Sequence, residues 1–349
     1  MGAPDMSKTK DRILEALKVV QDPDLHQDIV SLGFVKDLAY CDGLAKFTLE
    51  LTTPACPVKD QLKEQARQAA LSVDEVETVN VEMTAQVRDS LPAGNQVGGQ
   101  VKQVIAVTSG KGGVGKSTCT VNLAAALAAT GAKVGILDAD VYGPNIPVMM
   151  GLDRKPEGRG KKIFPVARHG IKTMSVGYLI EDGQPVMWRG PMLHRALEQF
   201  LHDVEWGELD YLLVDMPPGT GDAQLSLSQL VPLTGIVVVT MPQEVSQTDV
   251  RRAIGMAGQV KAPVLGVIEN MSGEVFGEGG GEKVAETFGV PFLGRIPLVP
   301  AVRVGGDAGI PIVVEDSTTE VAESFRAIAG QVAAQAATRA QASLPVLEV

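Results

Sequence analysis

Gly110-Lys-Gly-Gly-Val-Gly-Lys-Ser-Thr118 stands directly after the apolar run 104–107, and an apolar helical pattern through Asn122, Leu123 and 124–127 follows it. Glycines at this density cannot maintain a strand or a helix interior, because each loses more backbone freedom on ordering than any other residue. Between a strand and a helix they do something else. They let the chain curl until successive N–H groups point inward, next to the positive end of the helix, and phosphate oxygens collect both effects. The segment satisfies G-x-x-x-x-G-K-[ST] with Gly110, Gly115, Lys116 and Ser117. That spacing directs Lys116 to the β/γ-phosphates of a nucleotide and the Ser117 hydroxyl to its magnesium ion. It also demands a fold in which a buried strand feeds a helix.

The rest of the chain has that rhythm. Short, β-branched apolar runs at 134–137, 211–214, 236–239 and 264–268 alternate with helical patterns, as strands covered on both faces do. The fold class is therefore α/β, a doubly wound, mostly parallel sheet over residues 104–349. Before it, residues 1–89 show an apolar-periodic helix (Ile13, Leu14, Leu17), a strand over 45–51, a second helix and a strand over 79–87, a small α+β domain. Residues 90–103, including Ser90-Leu-Pro-Ala-Gly-Asn-Gln-Val-Gly-Gly99, are rich in Pro and Gly and nearly uncharged, the composition of a linker. The alanine-rich stretch 319–342 reads as a terminal helix.

Among the 349 residues, 42 are acidic and 31 basic, and a net charge of −11 argues against a protein that coats nucleic acid. No run of about 18 apolar residues suits a membrane span, and residues 1–10 lack the apolar core of a secretory signal. Three cysteines cannot build a disulfide framework, and reduced thiols fit a cytoplasmic protein. The four histidines show no metal-ligand spacing.

Further candidates sit at later strand ends, where open parallel sheets gather ligands. Ile136-Leu-Asp-Ala-Asp140 ends a strand with two carboxylates one residue apart, predicted to point the same way. One of Asp138 and Asp140 would hold magnesium-bound water and the other orient the attacking water. Asp215 closes the apolar strand Tyr211-Leu-Leu-Val-Asp215 like a Walker B carboxylate, before a glycine loop suited to sensing a γ-phosphate.

Lys111 inside the loop makes the segment K-G-G-x-G-K-[ST], which resembles the deviant Walker A of dimeric ATPases that include MinD and the nitrogenase iron protein. Asp138-Ala-Asp-Val-Tyr-Gly-Pro144, Trp188-Arg-Gly-Pro-Met192, Trp206-Gly-Glu-Leu-Asp-Tyr211, Pro217-Pro-Gly-Thr-Gly-Asp222 and Glu269-Asn-Met271 together resemble the Mrp/ApbC family of iron–sulfur cluster carrier ATPases. Asp22-Pro-Asp24, Ile29-Val-Ser-Leu-Gly33 and Thr52-Thr-Pro-Ala-Cys-Pro57 resemble small iron–sulfur assembly-factor domains. The resemblance implies a homodimer closed around ATP, with Lys111 reaching the partner's nucleotide. It also implies that Gly110, Gly112, Gly113, Val114, Gly115 and Thr118 line the phosphates with Lys116 and Ser117. Asp138 and Asp140 would serve metal and water, Asp215 the outer shell of the metal, and Asn270 the adenine. It implies apo iron–sulfur proteins and assembly factors as partners, and neither nucleic acid nor membrane.

Carriers of this kind present a C-x-x-C after the Asn-Met, whose thiolates bridge a [4Fe-4S] cluster between subunits, but residues 272–281 contain no cysteine. The remaining thiols are Cys41, Cys56 and Cys119. Cys56 precedes Pro57 at the predicted start of a helix, where the dipole favours thiolate, and it is the suspected functional cysteine of the assembly-factor domain. Cys119 reads as core and Cys41 as turn-adjacent. The resulting expectation is a magnesium-dependent ATPase that delivers iron–sulfur clusters and uses hydrolysis as a conformational switch. The alternative is a scaffold, or a positioning ATPase of the MinD/ParA kind, without a cluster. Against positioning on membrane or DNA stand the lack of any basic run and a C-terminal helix with one arginine over 327–342.

Overall fold

The structure is a computed structural model and describes residues 6–90, 97, 99–179, 190–219, 230–260 and 262–342. The chain divides into two compact units, residues 1–88 with 333–338, and residues 89–332 with 339–349. The grouping of 333–338 is not visible in the sequence, because an alanine-rich helix carries no bulky side chain to declare which core it serves.

In the smaller unit, Val35–Cys41 and Leu44–Leu51 form an antiparallel hairpin, and Leu44–Leu51 pairs in parallel with Thr78–Ala85. Asp42 and Gly43 both have positive φ, 46° and 80°, the backbone of a tight two-residue hairpin turn. Alternate residues of the middle strand, among them Phe47 and Leu49, turn inward to meet Ile13 and Leu17 of the helix Met6–Leu17 and Leu62 of the helix Lys59–Leu71. The strand Val35–Cys41 has no clean alternation in sequence. A register shift between Lys36 and Ala39, with Asp37 at φ 53°, explains why.

The larger unit carries an eight-stranded sheet. Its order is Val166–Arg168, Ile171–Ser175, Val134–Asp138, Gly207–Asp215, Gly99–Ser109, Gly235–Thr240, Val264–Ser272 and Phe292–Pro297. Every pairing is parallel except that of Val166–Arg168 with Ile171–Ser175. The five strands read from apolar runs are all present. Gly99–Ser109 begins earlier than its apolar run, because Lys102 ion-pairs with Asp210 at 2.8 Å and Gln103 is buried, so polar residues interrupt a strand whose Val101 and Val104 are core. Ile171–Ser175 and Phe292–Pro297 escape a pattern search for the same reason: Thr173 and Ser175 are buried polar residues, and Gly294, Arg295 and Pro297 break the second run.

Gly99–Ser109 lies in the middle, with Gly207–Asp215 on one side and Gly235–Thr240 on the other. Chain direction through the strand order reverses there, which opens a crevice at the carboxyl ends of these strands. The helix Lys116–Ala129 leaves this point and is buried nearly all round. Trp206, fully buried, anchors the sheet by donating its indole N–H to the Phe200 carbonyl at 3.0 Å.

Candidate functional site

Gly113 and Gly115 have φ of 81° and 80°, in the left-handed region open mainly to glycine, and a Cβ on Gly115 would lie 2.2 Å from Asn270 Nδ2. Gly115 caps the helix, so the unpaired N–H groups of its first turn face the crevice. The loop borders a cavity of about 310 Å³ lined by Lys111, Lys116, Ser117, Thr118, Asp140 and Pro218, among others. A second cavity of about 300 Å³ shares Thr118, Asn145 and Met149 with it and continues to Asn270, Pro297, Val299 and Val302.

Register alignment puts Asp215 opposite both Val107 and Asp138 across neighbouring strands. The Asp215 carboxylate, wholly buried, takes the Lys116 ammonium at 2.6 Å and the Ser117 hydroxyl at 2.6 Å on Oδ2, and the Thr120 hydroxyl at 2.7 Å on Oδ1. Lys116 is also 3.4 Å from Asp140 Oδ2. Thr120 was not singled out from the sequence, yet it lies one helical turn beyond Lys116 and so shares its face.

Of the two carboxylates, Asp140 is the one that lines the cavity, while Asp138 closes the strand behind it; both lie within reach of the charges of Lys116 and Asp215. Asp140 lines the cavity and accepts the backbone N–H groups of Tyr142 and Gly143 at 3.0 and 3.2 Å. Asp138 accepts the Ser175 hydroxyl at 2.8 Å and the Ile146 N–H at 3.4 Å. Burial, and after it the charge of Asp215, pushes the Asp138 carboxyl up to about 8. Burial also raises Asp140, while Lys116 opposes the rise.

A stability consequence follows. The folded protein holds a proton on Asp138 at pH values between the unfolded 3.8 and about 8, where the unfolded chain has released it. A raised carboxyl therefore lowers stability as pH climbs through that window. Denaturation midpoints of the nucleotide-free protein are expected to fall between pH 5.5 and 8.5, and Asp138→Asn is expected to flatten the slope; equal slopes in the two proteins would refute the assignment.

Asn270, buried at the end of Val264–Ser272, donates Nδ2 to the Val114 carbonyl at 2.8 Å. A carbonyl accepts only, so this contact fixes the amide's orientation and leaves Oδ1 as an acceptor without a protein donor among the described residues. Pro297, Val299 and Val302, on the apolar wall of that cavity, were missed in the sequence because nothing but a strand-end proline marks them.

Cys119 is buried, as expected of a core residue. The expected thiolate at Cys56 is corrected: the helix starts at Lys59, Cys56 lies half-buried before it, and burial, followed by the charges of Asp22 and Asp24, pushes its thiol up to about 11. Trp188, Arg189 and Thr220–Asp222 lie outside the described residues.

A glycine-rich loop between a central parallel strand and a buried helix, with Lys116, Ser117 and Asp215 converging beside a cavity, defines a P-loop NTPase. Residues 100–333 match the family described as NUBPL iron-transfer P-loop NTPase, and residues 10–83 match that of the iron–sulfur cluster assembly protein. The iron–sulfur cluster carrier protein of Synechocystis sp. is 49% identical over 93% of this chain and 97% of its own. Among solved structures, a nucleotide-binding protein of Archaeoglobus fulgidus in complex with ADP is 40% identical over 64% of this chain and 92% of its own, with a TM-score of 0.56. The cell division ATPase MinD of Pyrococcus furiosus is 25% identical over 66% of this chain and 98% of its own, with a TM-score of 0.54. The chain belongs to the Mrp/ApbC family of iron–sulfur cluster carrier P-loop NTPases.

Proposed function

We propose that this protein is a magnesium-dependent ATPase that acts as a homodimer in the cytoplasm and delivers iron–sulfur clusters to apoproteins. The observation that carries the reading is the convergence of Lys116, Ser117, Asp140 and Asp215 on one cavity that opens into a second, apolar one.

Ser117 Oγ, a hard oxygen, would hold Mg²⁺, with the Asp215 carboxylate that accepts its hydroxyl at 2.6 Å in the outer shell of the ion, a set that fits this metal. Bound there, the ion supplies neutralisation of the phosphate oxygens. Lys116 transfers its charge from Asp215 to the β/γ-phosphates, and the N–H groups of 112–117 cradle them. Asp140, at the cavity wall, orients the attacking water. Asp138 supports it from behind, through the Asp140 N–H that donates to its Oδ1 at 3.2 Å. The free Oδ1 of Asn270 accepts the exocyclic amine of adenine; guanine and hypoxanthine would set a carbonyl against it. Loss of the γ-phosphate then relaxes residues 138–144 and the loop after Asp215, changing the face offered to clients.

The cluster is cargo, and thiolates must hold it. With Cys119 buried behind the P-loop and no cysteine in 272–281, Cys56 and Cys41 remain. Cys56 is assigned the role, with its proton released on ligation, so uptake rises with pH. Anaerobic reconstitution with iron and sulfide, followed by absorbance and iron counting, tests this. Wild type is expected to hold a labile cluster, and Cys56→Ser to lose association or transfer while ATP hydrolysis persists, since the two chemistries lie on different units. A Cys56→Ser protein that reconstitutes and delivers like wild type would refute the assignment and favour an ATP-dependent scaffold.

A further inference from the structure

Glu269 plays no part in the site described above, yet it is a fully buried carboxylate one residue from Asn270. Its Oε1 accepts the Ser272 hydroxyl at 3.0 Å and the Gly279 N–H at 2.9 Å, and its Oε2 accepts the Gly281 N–H at 2.6 Å. The guanidinium of Arg295 stands beside it, Nε 3.2 Å from Oε1. The backbone around this anion has no room to adjust. Gly279 has φ 91°, a Cβ on Gly280 would lie 1.9 Å from the Pro242 carbonyl oxygen, and one on Gly281 would lie 2.9 Å from Glu269 Cβ.

Between the carboxylate and the serine it grips lies Met271, at φ 60°. A left-handed conformation is strained for a side-chain-bearing residue and persists only where its surroundings over-determine it. The strand register shifts between Asn270 and Ser272, at this same kink. The kink has a consequence for the P-loop. It brings both Asn270 and Met271 against Gly115, whose hypothetical Cβ would meet Asn270 Nδ2 at 2.2 Å and Met271 Cε at 3.3 Å. Both residues also line the apolar cavity.

We propose that Glu269 is a positioning residue for nucleobase recognition: by gripping Ser272 and the Gly279–Gly281 turn it enforces the left-handed Met271, and so aims Asn270 at the base. This rests on the nucleotide-site reading above. Glu269 lines neither cavity, and the group it aims, the Asn270 amide, faces the base rather than the phosphates, so its effect is expected to fall chiefly on base preference.

The test is equilibrium binding of ATP, ITP and tripolyphosphate to the full-length chain. ITP replaces the exocyclic amine by a carbonyl, so wild type is expected to prefer ATP by about tenfold, the value of one hydrogen bond made against one acceptor left facing another. Glu269→Gln keeps the shape but weakens the grip on two N–H groups. Its ATP/ITP preference is expected to fall to about threefold or less, with tripolyphosphate affinity unchanged. Ser272→Ala removes a single partner and leaves the buried charge satisfied; it is expected to shift the preference in the same direction by less, and it carries the test if Glu269→Gln does not fold. A wild-type preference retained in both variants, or a parallel loss of tripolyphosphate binding, would overturn the proposal. Wild type that binds neither ATP nor tripolyphosphate would instead overturn the nucleotide-site reading.

Discussion

Lys116→Ala is expected to lower ATP turnover by a factor of about 10³ or more, because the buried ammonium is placed within its own subunit's cavity to neutralise the transferring phosphoryl group. A second effect comes from the nucleotide-free ground state. Asp215 is wholly buried, and Lys116 at 2.6 Å is its counter-charge; Ser117 and Thr120 supply hydrogen bonds but no charge. Removing one partner of a buried ion pair strands the other, at a cost of about 3 kcal/mol or more. The variant is therefore expected to unfold at lower denaturant. Steady-state phosphate release and urea titration check both. Wild-type turnover in Lys116→Ala would remove the site assignment altogether.

What the sequence made legible depends on how locally each feature is determined. The phosphate loop is local: Gly113 and Gly115 occupy left-handed backbone, and the helix that must follow begins at Lys116. The central strands were legible because burial on both faces leaves a continuous apolar run, as in Val134–Asp138. Edge strands were not, since Phe292–Pro297 mixes Gly, Arg and Pro into a run that only its neighbour makes a strand. Which of the two carboxylates at the strand end lines the cavity was not legible: Asp140 lines it, while Asp138 is held by Ser175, a residue distant in sequence. Cys56 shows the same limit. A helix-start position argues for thiolate, and the Val58 N–H does favour it, but burial first, and then the charges of Asp22 and Asp24 from elsewhere in the chain, reverse the sign. Glu269 is legible in sequence only as part of the segment Glu269-Asn-Met271; its role is not, because only the fold closes Gly279 and Gly281 around it.

Lys111→Ala is expected to leave ATP binding near wild type and to reduce hydrolysis by about 10³–10⁵, the range of a charge supplied across an interface to a phosphoryl transition state. Lys111 is half-exposed on the cavity wall, its backbone carbonyl held by the Ser109 hydroxyl at 2.9 Å. Its position differs from that of Lys116, which is buried against two carboxylates and already directed inward. A cradle that has Lys116 gains little from a second lysine in the same loop unless that lysine serves the nucleotide of a facing copy. Wild type is then expected to shift from monomer to dimer on adding ATP and magnesium, and Lys111→Ala to shift less at the same concentration, as read by sedimentation velocity. The pairing of readouts separates two models: a lysine acting only in its own subunit would lower turnover without changing association. A wild-type monomer–dimer balance indifferent to ATP would rule out the closed dimer, and with it the reason for a lysine at position 111.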